Sequence, residues 1–224
     1  MPISYNETTR TFKLDTATST YLISVYQEGY ILNLYYGAKI PESYVPDREI
    51  LPPSASFSAY SPASGFSPDV APMEYGTFGA GDMRIAALAV RNRDGNNVTD
   101  IRYTGHKIYA GKPPIPGQPS SYAENDGEAD TLEIYAEDAV TGLKITLIYT
   151  VFSDQGVMTR RVRAENGSGA LLKLERIFSL CLSLPSMDYD LITLYGRHAK
   201  ERNIERRPLA HGVQGVESSR GVSG

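Results

Sequence analysis

The sequence predicts an all-β protein, a large antiparallel β-sandwich with long proline-rich loops and little helix. Three observations carry that expectation. Apolar residues recur with a period of two, turn-forming residues separate the runs, and 16 tyrosines favour pleated, half-buried surfaces. One unit spanning 1–224 suffices, because β-sandwiches run to roughly 200–250 residues as single domains.

The runs come in pairs. Tyr21–Tyr26 and Tyr30–Tyr36 flank Gln27-Glu28-Gly29, the sequence form of a hairpin. Ile85–Arg91 and Val98–Tyr103 flank Asp94-Gly95-Asn96-Asn97 in the same way. Thr131–Glu137 and Leu143–Phe152 are joined through residues 138–142, and Val157–Glu165 and Leu171–Leu184 through Asn166-Gly167-Ser168-Gly169. Within the longest run, alternation gathers Ile145, Leu147, Tyr149 and Val151 on one face and leaves the other wetter. The one helical candidate is Tyr195–Glu205, where Leu194, His198 and Ala199 stand at loosely helical spacing. Residues 41–72 and 111–128 are too rich in proline to be strands, because proline removes ladder donors, and long ordered loops of this kind usually serve binding or interfaces.

Composition excludes several function classes. A net charge of −4 without a Lys/Arg stripe argues against nucleic acid as a partner. The basic residues near the C-terminus alternate with Glu201 and Glu205, as on a solvated face. Cys181 is the only cysteine and sits between Leu180 and Leu182, so it reads as a small core hydrophobe rather than a nucleophile. The start MPISYNETTRTF lacks the basic and apolar regions of a signal peptide, and no run approaches the roughly 18 apolar residues of a membrane span. A cytoplasmic protein with no membrane partner is the expectation.

No self-contained chemistry emerges. Glu124, Asp126, Glu128 and Asp130 lack the ligand spacing of a calcium loop. His106, His198 and His211 form no zinc pattern, and Gly79-Ala80-Gly81-Asp82 reads as a tight turn rather than a phosphate loop. No Gly-x-Ser-x-Gly elbow is present. No cofactor, metal or catalytic residue is therefore expected. The absence of tryptophan weighs against a free-standing sugar-binding module, which commonly stacks sugars on aromatic faces.

Several segments nonetheless carry a resemblance. Phe66-Ser67-Pro68-Asp69, Pro72-Met73-Glu74-Tyr75 and Gly79-Ala80-Gly81-Asp82-Met83-Arg84 resemble a stretch of the bacterial α-galactosidases of glycoside hydrolase family 36. The likeness continues through Tyr103–Ile108, Tyr149–Phe152, Val157–Arg160 and Leu184–Leu191. It is most specific at Gly196–Arg202, Arg207-Pro208-Leu209, His211-Gly212 and Glu217–Gly221, so it covers nearly the whole chain in order.

The resemblance implies an N-terminal, supersandwich-like domain of an enzyme that also has a catalytic (β/α)8 barrel and a C-terminal β domain. Such enzymes release terminal α-galactose from melibiose, raffinose and similar sugars with retention, using two aspartates of the barrel and no metal. Many are tetramers in which an N-terminal loop reaches the edge of a neighbour's active site. No residue here matches the barrel aspartates, so the expected role is non-catalytic: packing on the barrel, oligomerisation and a possible substrate edge. At that edge Tyr60 would offer an aromatic face and Asp69 a hydroxyl acceptor; loop packing and a turn acceptor are the plainer roles for the same two residues. Two departures stand out, Gly76 where relatives carry proline and a 54–58 segment without their charged residues. The competing expectations are a stand-alone galactoside-binding module and an inactive structural fragment.

Overall fold

The computed structural model describes residues 2–41, 65–184 and 188–219, which form two compact units, Met1–Ser183 and Leu184–Gly224. In the first unit, β1 (Ile3–Asn6), β2 (Thr11–Asp15), β3 (Ser19–Val25) and β4 (Ile31–Ala38) make an antiparallel sheet in sequence order. A second antiparallel sheet is β6 (Ile101–Ala110), β7 (Asp130–Asp138), β8 (Leu143–Phe152) and β9 (Val157–Asn166). Between them in sequence, β5 (Leu88–Arg91) pairs with β10 (Lys173–Ile177). The second unit is a hairpin of β11 (Asp190–Arg197) and β12 (Lys200–Pro208).

The all-β expectation holds, and its physical basis is visible strand by strand. Along β7, Leu132, Ile134 and Ala136 are buried while Glu133, Tyr135 and Glu137 between them keep contact with water. Phe12, Leu14, Tyr21 and Ile23 of the first sheet share one core with Leu132, Ile134, Leu147 and Tyr149 of the second. Ring contacts cross this core, with Tyr21 6.2 Å from Tyr149 and Phe12 4.8 Å from His106. The segment after residue 65 adds to the sheet edge: Asn33 N–H donates to Pro72 O, Leu32 bridges Met73, and Glu74 N–H donates to Ile31 O. That edge pairing carries Glu74 into the sandwich.

Three expectations need correction. The run at 85–91 does not form a hairpin with 98–103; β5 pairs with β10 and β6 with β7. The turn between them exists, closed by Asn92 N–H to Asn96 O, and Asn92 Nδ2 to Val98 O. Turn chemistry specified the reversal but not the partner, because β5 gains more by laying Leu88 and Val90 in the core beside a distant strand. For the same reason Lys173–Ile177 pairs with β5 instead of folding back on β9.

Second, the outer face of β8 is not wet. Thr146, Ile148 and Thr150 are as buried as Ile145, Leu147, Tyr149 and Val151. Residues of the proline-rich loop 111–128, among them Ile115 and Pro119, enclose a small cleft with Ile148 and Thr150. Thr150 also meets Thr131, which donates to Gly111 O.

Third, Tyr195–Glu205 is no helix. Its residues close the β11–β12 turn and begin β12. Gly196 has φ of 151°, and the Lys200 carbonyl leaves no room for a Cβ there. Two or three residues at helical spacing were a weak signal against the strand alternation that follows.

Replacing Leu147 by alanine should cost about 2–5 kcal/mol in urea unfolding, because its side chain is fully enclosed between the sheets. Val140→Ala, at an almost fully exposed turn position, should leave the midpoint unchanged.

Candidate functional site

The three motif segments at 66–69, 72–75 and 79–84 are brought together, and their polar side chains hold one another. Phe66 stacks near Tyr30 and Tyr26, with centroids at 4.3 and 5.2 Å. Asp69 lies at the turn that follows, and its Oδ1 accepts from the Met83 N–H at 3.3 Å. Arg84 grips Asp82 through two hydrogen bonds of 2.8 Å and donates to the carbonyls of Pro68 and Ala71. Gly79 and Gly81, with φ of 101° and 104°, make the tight turn that delivers Asp82 to this arginine. Asp69 is therefore placed as a turn acceptor, and Tyr60 lies outside the described residues.

Glu74 is the centre of the arrangement and was not singled out by any spacing in the sequence. Its side chain has no solvent exposure. Tyr21 of β3 donates to Oε2 at 2.6 Å and Asn33 of β4 to the same oxygen at 3.3 Å. From the opposite sheet, Tyr149 of β8 donates to Oε1 at 2.6 Å, and Arg160 of β9 pairs with it at 2.8 Å. Arg160 also donates to the carbonyls of Glu74 and Cys181. One carboxylate thus ties both sheets, and its partner Arg160 ties in the segment after β10.

Burial, followed by the Glu74 carboxylate beside them, pushes the phenols of Tyr21 and Tyr149 far above the usual tyrosine value. Burial alone would lower the pKa of Arg160, but Tyr149 and Glu74 outweigh it and hold the guanidinium charged. The Cys181 thiol is half-buried and raised by burial, as befits a packed side chain rather than a nucleophile. Next to the cluster lies a cavity of about 340 Å3 lined by Tyr21, Tyr36, Tyr149, Met158, Arg160 and Leu180, among others.

Two further titratable residues named by the sequence are engaged within their own segments. Glu128 closes its own turn by accepting from Glu124 N–H and Asn125 Nδ2. His106 meets the Tyr103 hydroxyl at 2.7 Å and packs against Tyr5 and Phe12, and burial lowers its pKa. Among the described residues no group of three or more His, Cys, Asp or Glu could hold a metal ion.

The sequence model of the Glycosyl hydrolase family 36 N-terminal domain matches residues 29–224. The chain belongs to that family. It is 40% identical over 226 residues to Alpha-galactosidase AgaA of Geobacillus stearothermophilus, covering 100% of this chain and 31% of that enzyme. It is 36% identical to the Bifunctional alpha-galactosidase/sucrose kinase AgaSK of Mediterraneibacter gnavus, covering 100% of this chain and 24% of that enzyme. The crystal structure of the family 36 alpha-galactosidase AgaB of Geobacillus stearothermophilus superposes with a TM-score of 0.91 at 40% identity, over 99% of this chain and 30% of that one. The chain thus spans under a third of the length of these relatives. As a family 36 N-terminal domain, it has the antiparallel sandwich of its structural neighbours.

Glu74→Gln should destabilise the domain by about 3–5 kcal/mol in urea unfolding, since it leaves the Arg160 charge buried and unpaired. The double substitution Glu74→Leu with Arg160→Met should recover a large part of that loss. The pH dependence follows from the phenols. Their folded pKa values are raised, so their contribution is fully present below the unfolded value near pH ~10 and is lost as pH climbs above it. Melting temperature should fall steeply above pH ~10, and Tyr21→Phe with Tyr149→Phe should flatten that fall.

Proposed function

We propose that this chain serves as the non-catalytic N-terminal domain of an α-galactosidase that removes terminal α-galactose, with retention, from sugars such as melibiose and raffinose. The observation that carries the reading is the family match over 29–224 in a chain that spans under a third of its α-galactosidase relatives. A variant of one such relative, AgaA, has been crystallised in complex with raffinose, which supports raffinose-type sugars as the parent's substrates. The chemistry of the motif residues agrees: Asp69, Glu74 and Asp82 are all engaged by groups of this chain, which leaves them as structural rather than catalytic acids.

In this reading the catalytic barrel and the C-terminal β domain are further parts of the parent enzyme. The apolar side chains Met83, Ile85, Leu174, Ile177, Phe178 and Leu180 are exposed along β5, β10 and their flanks, and such a surface suits packing against the barrel. The parent is a homo-oligomer, a tetramer, working in the cytoplasm. The loop 41–72 frames a neighbouring subunit's pocket, with Tyr60 as an aromatic wall and Asp69 at its base as a hydroxyl acceptor once the Met83 N–H is released.

Hydrolysis of p-nitrophenyl α-D-galactoside tests the reading. The 224-residue chain should show no turnover under conditions where Geobacillus AgaA is active. Turnover that survives repurification and vanishes on replacing an acid of this chain would overturn it.

A further inference from the structure

The outer face of the second sheet carries a small cleft whose charge is all of one sign. β9 turns Arg160 into the sandwich, so Thr159 and Arg161 beside it stand outward, opposite Thr150 and Ile148 of β8. The proline-rich loop 111–128 brings Lys112, Ser120 and Ser121 to the same cleft. Among the described residues that line it there is no Asp or Glu. Glu133, on β7 across β8 from Arg161, is engaged by the hydroxyls of Tyr109 and Tyr135.

The loop is fixed in place. Gly111, with φ of 85°, donates to Ala129 O and accepts from Thr131, whose hydroxyl also meets Thr150. Lys112 then closes the loop by donating to the Ser121 carbonyl, which uses one of its three N–H groups. Lys112 and Arg161 both line the cleft and are only half-buried, so an entering group can reach them. Burial, then the charge of Arg161, lowers the pKa of Lys112. The two cations therefore repel each other, and an anion between them turns that repulsion into attraction.

Size and donor arrangement set the class of anion. The cleft holds about 170 Å3. Pockets for drug-sized ligands begin near roughly 300 Å3, so this one suits a single small group. Its donors come from two directions, an ammonium and a serine hydroxyl from the loop, a guanidinium and a threonine hydroxyl from the strand. A carboxylate has only two oxygens to offer them, whereas a phosphate group has at least three. We infer that the cleft between Lys112, Ser120, Thr159 and Arg161 is a binding site for one phosphate group, either the free ion or the end of a small phosphate ester. Bound there, the group fastens the loop to β9. The cleft shares no residue with the apolar surface along β5 and β10, and the inference does not rest on the α-galactosidase reading.

The test is a titration of the 224-residue chain with sodium phosphate, exchanged against chloride at constant ionic strength and followed by NMR. Resonances of Lys112, Thr159 and Arg161 should shift saturably, with a dissociation constant on the order of 1 mM, and the melting temperature should rise with phosphate. Acetate should bind about tenfold more weakly. Glucose 6-phosphate separates the two sources: binding no tighter than phosphate assigns the site to the free ion, and tighter binding assigns it to an ester. Arg161→Gln should weaken binding about tenfold. Should that variant fold poorly, Thr159→Val, of the same shape, should still weaken binding about threefold. Lys107→Gln removes an exposed cation of the same sheet face outside the cleft, and it should leave binding unchanged. The proposal fails with no saturable shift, with acetate binding as well as phosphate, or with Lys107→Gln weakening binding as much as Arg161→Gln.

Discussion

A carboxylate with no solvent exposure sets the terms for this domain. Removing Glu74 from water is costly, and the protein offsets that cost only by surrounding the group with donors from every layer that meets there. Tyr21 and Asn33 come from one sheet and Tyr149 and Arg160 from the other, and Arg160 also donates to the Cys181 carbonyl in the segment behind them. A hydrophobic interface would tolerate some sliding of one sheet over the other. A carboxylate with fixed donors on both sides does not, because a small shift would leave a charge or a hydroxyl unsatisfied. The network therefore specifies the registration of the sandwich as much as it stabilises it.

The surrounding motif residues follow from this requirement. Glu74 reaches the interior only because Pro72 and Glu74 pair with the edge of β4. That edge pairing in turn needs the chain on either side to be fixed. Arg84 does this by holding Asp82 and the carbonyls of Pro68 and Ala71 in one grip. Three stretches that look like separate signatures in the sequence are one mechanical unit in space. The geometry admits few substitutions at a buried ion pair and the turns that deliver it.

How far the sequence disclosed this depends on the range of the interaction. Strands whose partners lie next along the chain, such as β3 with β4 and β7 with β8, were legible from alternation and turn chemistry. β5 and β10 were not, because they pair across more than eighty residues and no local pattern names a distant partner. The hairpin at 190–208 was misjudged for another reason. Its exposed strands carry charge where a core strand carries apolar side chains, so alternation was faint and three residues suggested a helix. Glu74 was hidden more thoroughly still. An isolated glutamate in Pro72-Met73-Glu74-Tyr75 has the look of a solvated residue, and only the convergence of Tyr21, Tyr149 and Arg160, from positions far apart in the chain, reveals its burial.

The buried pair also shapes the cavity beside it. An arginine free of Glu74 would present a net positive charge and select phosphates or carboxylates. Paired, its charge is met by Glu74 and both of its terminal nitrogens are held by bonds that serve the fold. The tyrosines behave alike, since their hydroxyls are spent on Glu74 and their rings become wall. The same contacts that lock the two sheets thus leave a ring-lined recess whose tyrosine hydroxyls from Tyr21 and Tyr149 are already committed. The arginine therefore serves the fold, because an anion entering there would have to compete with Glu74 for Arg160 and break the link between the sheets.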